Sequence, residues 1–314
     1  MVETKTLINK KSDHKFFNSK TRRQISESII AWLFILPSFV GIMTFVVVPT
    51  LRGFYLSFTD SDLLSHADFI GLENYVHLIN DSQFWSSLKI TVTYVLFNIP
   101  FQTVLALALA MAMWRLTQSV VLRTVIFLPF LIPMVMVTLV WMTILHYDFG
   151  PINGLIGLLF GSDARIDFLG KDLIIPTIAF INTWRYVGYT AILFFAGLQT
   201  IPHDLYEAAS IDGANEWNSF RFITLPLLRP VMVFVLITSL VGSFQVYDSV
   251  AVASVPSGGP GDASRVIYWY ITNLAFTRFQ MGYAATVAVA LFFIAMAIAW
   301  INFKYFRGNQ SDFN

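Results

Sequence analysis

The most informative stretch of this 314-residue chain reads IPHDLYEAASIDGANEWNSFRFITLP and covers residues 201–226. Pro202 suits a first helical turn, residues 203–212 can run as a short amphipathic helix, and Gly213 supplies its stop. Asn215 can cap a second helix, in which aromatic side chains recur at helical spacing. The stretch therefore predicts a helix, a turn and a second helix.

On both sides of this segment the chain is strongly apolar. Apolar residues make up 56% of it and charged residues only 12%, against about 45–50% and about 25% in soluble domains, which excludes an ordinary water-soluble globule. Crossing about 30 Å of hydrocarbon takes about 20 helical residues. Six stretches qualify, and we predict an all-α membrane protein with six transmembrane helices at about residues 28–50, 87–113, 120–145, 173–199, 227–250 and 281–305.

The Lys and Arg residues set the expected orientation. Thirteen of them fall on one side of the predicted membrane and six on the other, with Arg185 inside the fourth span. The positive-inside rule then places both termini in the cytoplasm. The predicted organisation is a cytoplasmic tail at 1–27, a transmembrane domain at 28–306 that includes a cytoplasmic loop at 200–225, and a C-terminal tail at 307–314.

Proline and polar residues interrupt several of these spans. Pro129 and Pro133 in the third span predict a kink, which membrane helices tolerate where neighbours satisfy the freed carbonyls. Ionisable groups at mid-bilayer usually face a cavity or a partner. Two spans carry such polar stripes, comprising Asn182, Arg185, Tyr186, Tyr189, Ser239, Ser243, Gln245, Tyr247 and Asp248. Packing roles for the tyrosines and serines, and an ion pair of Arg185 with Asp248 or with a neighbouring subunit, remain open alternatives.

Three motifs in the polar segment have a recognisable spacing: Glu207-Ala208-Ala209, Asp212-Gly213-Ala214 and Ile223-x-Leu225-Pro226. Others lie along nearly the whole chain, namely Leu36-Pro37, Gly71-Leu72-Glu73-Asn74-Tyr75, Arg123-Thr124, Leu128-Pro129, Gly150-Pro151-Ile152-Asn153, Phe244-Gln245-x-Tyr247-Asp248, Gly258-Gly259-Pro260 and Gly282-Tyr283-Ala284-Ala285. The set resembles the binding-protein-dependent ABC import permeases and their EAA loop. Within them it is similar to the carbohydrate-uptake branch, which includes the maltose and glycerol-phosphate permeases.

The resemblance implies a type I ABC importer permease fold in the cytoplasmic (inner) membrane of a prokaryote. It implies a permease subunit that translocates a sugar, with an oligosaccharide or a glycoside as the leading expectation, by alternating access coupled to ATP hydrolysis. The implied partners are a second homologous permease, two ATP-binding subunits, an extracytoplasmic solute-binding protein and membrane lipid. The residues expected to couple to the ATPase are Glu207, Ala208, Ala209, Asp212, Gly213, Ile223, Leu225 and Pro226.

The resemblance also bears on the polar stripes. Sugars present many hydroxyls and flat apolar faces, so amides, hydroxyls and carboxylates beside aromatic rings suit a carbohydrate route. The fourth-span stretch of the maltose permease lines its sugar site, and its Asn and Tyr positions match Asn182 and Tyr189 here. Arg185 and Tyr186 depart from that pattern, so a sugar phosphate or an acidic saccharide also remains open.

Other functional classes leave no signature in this sequence. It has no Cys, no HExxH pair, no His within the spans and no G-x-x-x-x-G-K-[ST] phosphate loop. We therefore predict no catalytic or metal site, and expect ATP and Mg²⁺ to bind the partner subunits. The net charge of +1 gives no basic field for nucleic acid. An ion-gradient-driven secondary transporter or a channel subunit is the alternative, and the energy source discriminates between the two.

Overall fold

The computed structural model describes residues 27–307, apart from 29, 63–66, 117–118, 162 and 255–258. Nearly all of both predicted tails, and Gly258 of the sequence motifs, therefore lie outside the described residues. Within the described ranges the chain is helical, with no strand and one isolated bridge between Thr59 and Phe69. This confirms the all-α prediction.

The first helix, α1, spans Ile30–Leu56 and belongs to a unit of its own. Its 27 residues extend for about 40 Å at 1.5 Å per residue, which exceeds the hydrocarbon thickness. Residues Met43–Val47 inside it are π-helical. Thr50 satisfies its hydroxyl locally by donating to the carbonyl of Val46. The helix can therefore cross a membrane without any unpaired polar group at this threonine.

The second unit runs from Ser57 to the C-terminus. Its α-helices are α2 (Glu73–Asn80), α3 (Ser82–Leu116), α4 (Val120–Leu131), α5 (Met134–Ile144), α6 (Pro151–Phe160), α7 (Ile174–Leu198), α8 (Asp204–Ile211), α9 (Glu216–Ser219), α10 (Arg229–Phe244), α11 (Asp248–Ala253), α12 (Ile267–Phe276) and α13 (Met281–Arg307). A π-helix, Phe220–Thr224, and a short turn of helix, Leu225–Leu227, join α9 to α10.

In the part of the chain that the structure describes, four segments are long and apolar enough to cross a membrane: α1, α3, the segment Arg229–Ala253 that holds α10 and α11, and α13. The bent pair α4 and α5 makes a fifth if it counts as one span. Helix α7 has 25 residues but is not in this set, because polar residues such as Asn182 and Arg185 interrupt it. The count of six spans is compatible with these helices and stays a prediction.

The third predicted span, 120–145, is not one kinked helix. Its two halves, α4 and α5, meet at 93°. Ile132 between them is extended, with ψ of 134°, because Pro133 has no N–H and disfavours helical backbone in the residue before it. The predicted kink is therefore corrected to a right-angled break. The fifth predicted span, 227–250, is also interrupted, since α10 ends at Phe244 and α11 begins at Asp248.

Helix α7 is the centre of the core. Small residues of α3, Ala106 and Ala110, are fully buried against Ala191, Phe194 and Leu198 of α7. On another side α12 and α13 pack against the first half of α3 through a cluster that includes Phe84, Leu274 and Val287. The polar middle of α7 packs against α3, α4 and α10, which bury Asn182 and Thr183 and leave Trp184 and Tyr189 exposed.

Candidate functional site

A cavity of about 480 Å³ lies beside the polar middle of α7. It is lined by α3, by the start of α5, by α7, and by the end of α10 with the start of α11. All nine residues that were expected to form the substrate pathway line it: Asn182, Arg185, Tyr186, Tyr189, Ser239, Ser243, Gln245, Tyr247 and Asp248. The structure thus brings both predicted stripes to one place.

Helix α3 adds residues that the sequence analysis missed. Tyr94, Asn98 and Gln102 line the cavity, and their four-residue spacing places them on one face of the helix. The Asn98 amide donates to Ser243 Oγ over 3.1 Å and accepts from the Thr183 hydroxyl over 3.3 Å. These bonds join α3 to α10 and α7. The spacing was the available signal, but it lay within a long apolar run.

Three further hydrogen bonds fix the amides of this wall. Gln102 donates from Nε2 to Thr190 Oγ1 over 2.9 Å. Asn182, only 6% exposed, donates from Nδ2 to Ser249 Oγ and to the carbonyl of Ile178, both over 2.9 Å. Buried amides need such partners, because an unpaired polar group costs about 1–3 kcal/mol. The wall is therefore an ordered array of hydrogen-bonding groups.

Arg185 reaches the break between α4 and α5. Its Nε donates to the carbonyl of Ile132 over 2.8 Å and its Nη2 to the carbonyl of Phe130 over 3.1 Å. The guanidinium carbon lies 5.4 Å from the ring centre of Phe130 and 4.7 Å from that of Tyr186. Within the described part of the chain Arg185 forms no ion pair with Asp248. The charge is thus held by backbone oxygens and aromatic faces.

The remaining predicted residues give the cavity its aromatic and polar surface. Tyr189 stacks on Phe130 with centroids 4.7 Å apart and planes 14° apart. Tyr247 contacts the ring of Tyr268 at 5.7 Å. Gln245 and Asp248 are exposed at the interruption between α10 and α11. Arg185 and Asp248 are the two charged residues of the described lining, so its formal charges cancel.

The predicted helix, turn and second helix between α7 and α10 are present, and we call this segment, residues 204–227, the elbow. Helices α8 and α9 are joined by Gly213, whose φ of +82° lies in the left-handed region that favours glycine. Asn215 caps α9 by accepting from the backbone N–H of Asn218 over 2.9 Å, as expected. Helical hydrogen bonding continues past Pro226, since the N–H of Leu228 bonds to the carbonyl of Thr224 over 2.9 Å.

The expected coupling residues divide between the two sides of this elbow. Glu207 has a side chain 69% exposed and lies 3.2 Å from His203 one turn earlier. Ala208 and Asp212 are also exposed. Ala209 is half-buried, and its carbonyl accepts from Ala214 over 2.8 Å, which closes α8. On the other side of the turn, Ile223 is half-buried in the π-helix, and Leu225 and Pro226 are half-buried in the helical turn after it.

The elbow is attached to the end of α3. The Tyr206 ring lies 5.2 Å from that of Trp114, and its hydroxyl is 2.9 Å from Thr224 Oγ1. Arg115 forms a 2.6 Å ion pair with Glu216. Because α3 also carries Asn98 of the cavity wall, one continuous helix connects the elbow to the cavity.

Comparison with known proteins places these features in a family. Residues 102–303 match the family described as binding-protein-dependent transport system inner membrane component. The chain is 34% identical over 289 residues to the probable ABC transporter permease protein YesP of Bacillus subtilis (strain 168), which covers 91% of this chain and 93% of that one. It is 35% identical over 283 residues to the lactose transport system permease protein LacF of Rhizobium radiobacter, covering 87% and 92%.

A solved structure resembles the fold. It belongs to a bacterial ABC transporter involved in the import of the acidic polysaccharide alginate, and the TM-score is 0.78 at 24% identity. The similarity covers 93% of this chain and 99% of the solved one. The type I importer permease fold is thereby shown for this protein.

Proposed function

Since the chain belongs to the family of binding-protein-dependent transport system inner membrane components, we propose that it is one half of the membrane core of an importer for a neutral oligosaccharide or glycoside. The chain is a permease subunit of an ABC transporter and not an enzyme. One observation carries the proposal: a cavity lined by amides, hydroxyls and tyrosines lies beside α7 of a membrane-spanning bundle. Gln245 and Asp248 are exposed in this lining, and lipid does not satisfy such groups, which supports a path for a polar solute.

The chemistry of the lining favours a neutral sugar. Gln245 and Ser239 supply hydrogen-bonding groups, and Tyr189 and Tyr247 supply flat apolar faces, the combination that a saccharide needs. Arg185 is balanced by Asp248 and already donates to two carbonyls, which argues against an acidic saccharide as the main substrate. One of the relatives is named for lactose transport, which supports the same class.

The open cavity and the exposed elbow support a proposal for the rest of the assembly. We infer that a second, homologous permease covers the open side of the cavity, and that an extracytoplasmic binding protein delivers the sugar to the outer loops. Two ATPase subunits bind ATP and Mg²⁺, and each receives one elbow. Glu207 offers its exposed carboxylate to a cation of the ATPase, and Ala208 allows a close approach. Both termini lie in the cytoplasm.

The energy source is the first test. Sugar uptake by proteoliposomes that contain the complete transporter should require enclosed ATP and should continue when ionophores remove the ion gradients. Uptake that persists without ATP and stops with the ionophore would establish the gradient-driven alternative instead.

The cavity is tested by a matched pair of glutamine variants. Gln245→Leu removes an exposed amide of the lining, and loss of one hydrogen bond of about 1.4 kcal/mol to the sugar should reduce uptake about tenfold. Gln199→Leu replaces an exposed glutamine at the end of α7, outside the cavity, and should transport at the parental rate. Equal uptake by both variants would remove Gln245 from the pathway.

A further inference from the structure

The break between α4 and α5 leaves backbone oxygens without their usual helical partners. In an α-helix each carbonyl accepts from the N–H four residues later. Pro133 has no N–H, so the carbonyl of Pro129 accepts instead from Ile132 over 3.3 Å. The 93° turn carries α5 away from the axis of α4, so the carbonyls of Phe130 and Ile132 need donors from elsewhere. In a membrane-spanning segment lipid does not supply them.

Arg185 of α7 supplies those donors. Two separate nitrogens of its guanidinium reach the two carbonyls, Nε that of Ile132 and Nη2 that of Phe130. A positive charge is also favoured at the C-terminal end of a helix, where the backbone dipole is negative. The ring of Phe130 in the last turn of α4 lies against the guanidinium and against Tyr189. One stripe of α7 therefore holds the last turn of α4.

The residues directly after the break form part of the cavity wall. Pro133, Met134 and Val135 all line it. Their position depends on the angle at which α5 leaves α4, because both helices are short and the bend lies between them. A change in that angle moves this wall relative to the amides on α3 and α7.

We propose that Arg185 is a positioning residue: its guanidinium joins the carbonyls of Phe130 and Ile132, keeps α4 and α5 at a right angle, and so sets the Pro133–Val135 wall of the cavity. The inference rests on the proposed function only for the nature of the solute. It differs from a role in which Arg185 binds an anionic substrate, because the bend would then be independent of the guanidinium.

The test measures the bend directly. The chain contains no cysteine, so spin labels can be placed on Val121→Cys and Val140→Cys, two exposed positions of α4 and α5. At 1.5 Å per residue, a right-angled break puts the two Cα atoms about 19 Å apart, whereas a straight helix puts them about 28 Å apart. Double electron–electron resonance on the complete transporter in lipid nanodiscs, without sugar or ATP, resolves these distances.

Arg185→Met should shift the distance distribution from about 19 Å toward about 28 Å. Arg185→Lys keeps the charge but offers one ammonium nitrogen where the guanidinium offers two separated nitrogens, so it should give an intermediate distribution and partial rescue of uptake. If the methionine variant does not assemble, the lysine variant decides. The matched control is Arg123→Met, which removes another arginine of the α4–α7 contact, one that lies over Phe195, and should leave the distance unchanged.

An unchanged distance in Arg185→Met, or in Arg185→Lys if only that variant assembles, overturns the inference. So does an equal shift in Arg123→Met. Reduced uptake with an unchanged distance would assign Arg185 to direct contact with the substrate. Failure of the proposed function is recognised separately, because the distances are measured without transport and the requirement for ATP is measured without the labels.

Discussion

Gly188 determines how closely α7 can approach α4. A Cβ built at this position would overlap the backbone carbonyl oxygen of Ile126 on the neighbouring helix. Backbone cannot yield as the end of a flexible side chain does, so even one added methyl group would separate the helices. The contact joins the middle of α4 to the residue before Tyr189 of the cavity lining, where a small displacement would reach both.

We expect Gly188→Ala to lower the free energy of unfolding by about 1–3 kcal/mol, the usual cost of overpacking. Gly154→Ala is the control, since a Cβ there meets nothing within 4 Å and alanine is the better helix former. Thermal unfolding of the purified protein in detergent compares the two melting temperatures. Equal melting temperatures would show that α4 and α7 can separate without cost.

Asp81 forms hydrogen bonds with three helices, α3, α12 and α13. The predicted topology places it on the opposite side of the membrane from the elbow. Its carboxylate accepts hydrogen bonds from the hydroxyls of Tyr270 and Tyr283, each over 2.6 Å, and from the N–H of Gln83 over 2.8 Å. Partial burial raises the pKa of the Asp81 carboxyl, but these hydrogen bonds outweigh burial and hold the pKa below its usual value. Burial and the nearby carboxylate raise the pKa of the Tyr270 hydroxyl.

A depressed pKa in the folded state contributes stability that is present above the unfolded value of about 3.9 and is lost as pH falls through the folded pKa. We therefore expect the melting temperature to fall on acidification below about pH 4. Asp81→Asn should lower it at neutral pH and weaken this acid dependence. Melting temperatures measured between neutral and acid pH check the prediction, and parallel curves for the parent and the variant would contradict it.

Among single residues, the sequence pattern indicated many that line the cavity, but not the groups with which they form hydrogen bonds. The stripe of α7 was visible because Asn182, Arg185 and Tyr189 recur at helical spacing in an apolar run. Asn98 and Gln102 have the same spacing on α3, but two amides alone do not distinguish a cavity from a buried contact. The partners of Arg185 lie 53 and 55 residues away, and no local pattern encodes a contact of that separation.

Among the elements, the elbow depends on one backbone conformation. A side chain at Gly213 would meet nothing within 4 Å, yet its φ of +82° is one that L-residues rarely adopt. At this position the backbone conformation, and not a lack of space, therefore disfavours a side chain. A substitution there tests the conformation of the turn without introducing a steric clash.

We expect Gly213→Val to reduce uptake per ATP hydrolysed, because a β-branched residue pays about 1–2 kcal/mol or more for left-handed backbone and shifts α8 relative to α9. Gly213→Asn should retain most of the coupling, since asparagine tolerates this conformation. Gly213→Pro should fail completely, because its ring fixes φ near about −65°. Parallel measurements of ATP hydrolysis and uptake decide this, and full coupling in the valine variant would contradict it.

The elements also show where sequence reasoning reaches its limit. Helices α8 and α9 follow from a cap, a glycine and helical spacing, all of which are local. The break of the third span does not, since Pro129 and Pro133 indicate an interruption without its angle. The angle depends on the donors that α7 offers to the freed carbonyls, and these belong to the tertiary structure.

For the whole molecule, the orientation in the membrane is the main prediction still to be tested. The absence of cysteine allows single introduced thiols to report their side. Phe160→Cys lies at the exposed end of α6 and Asn218→Cys lies in the elbow. The positive-inside rule predicts that a membrane-impermeant maleimide labels the first in intact cells and the second only after permeabilisation. The reverse pattern would invert the topology.

The right-angled break also constrains how the protein is made. Helices α4 and α5 have 12 and 11 residues, or about 18 and 16 Å, so neither can cross the hydrocarbon alone. The donor that the carbonyl of Ile132 has in the folded structure, Arg185, is synthesised 53 residues later. We therefore expect this region to remain beside the insertion machinery during translation, and to enter the bilayer only together with α7.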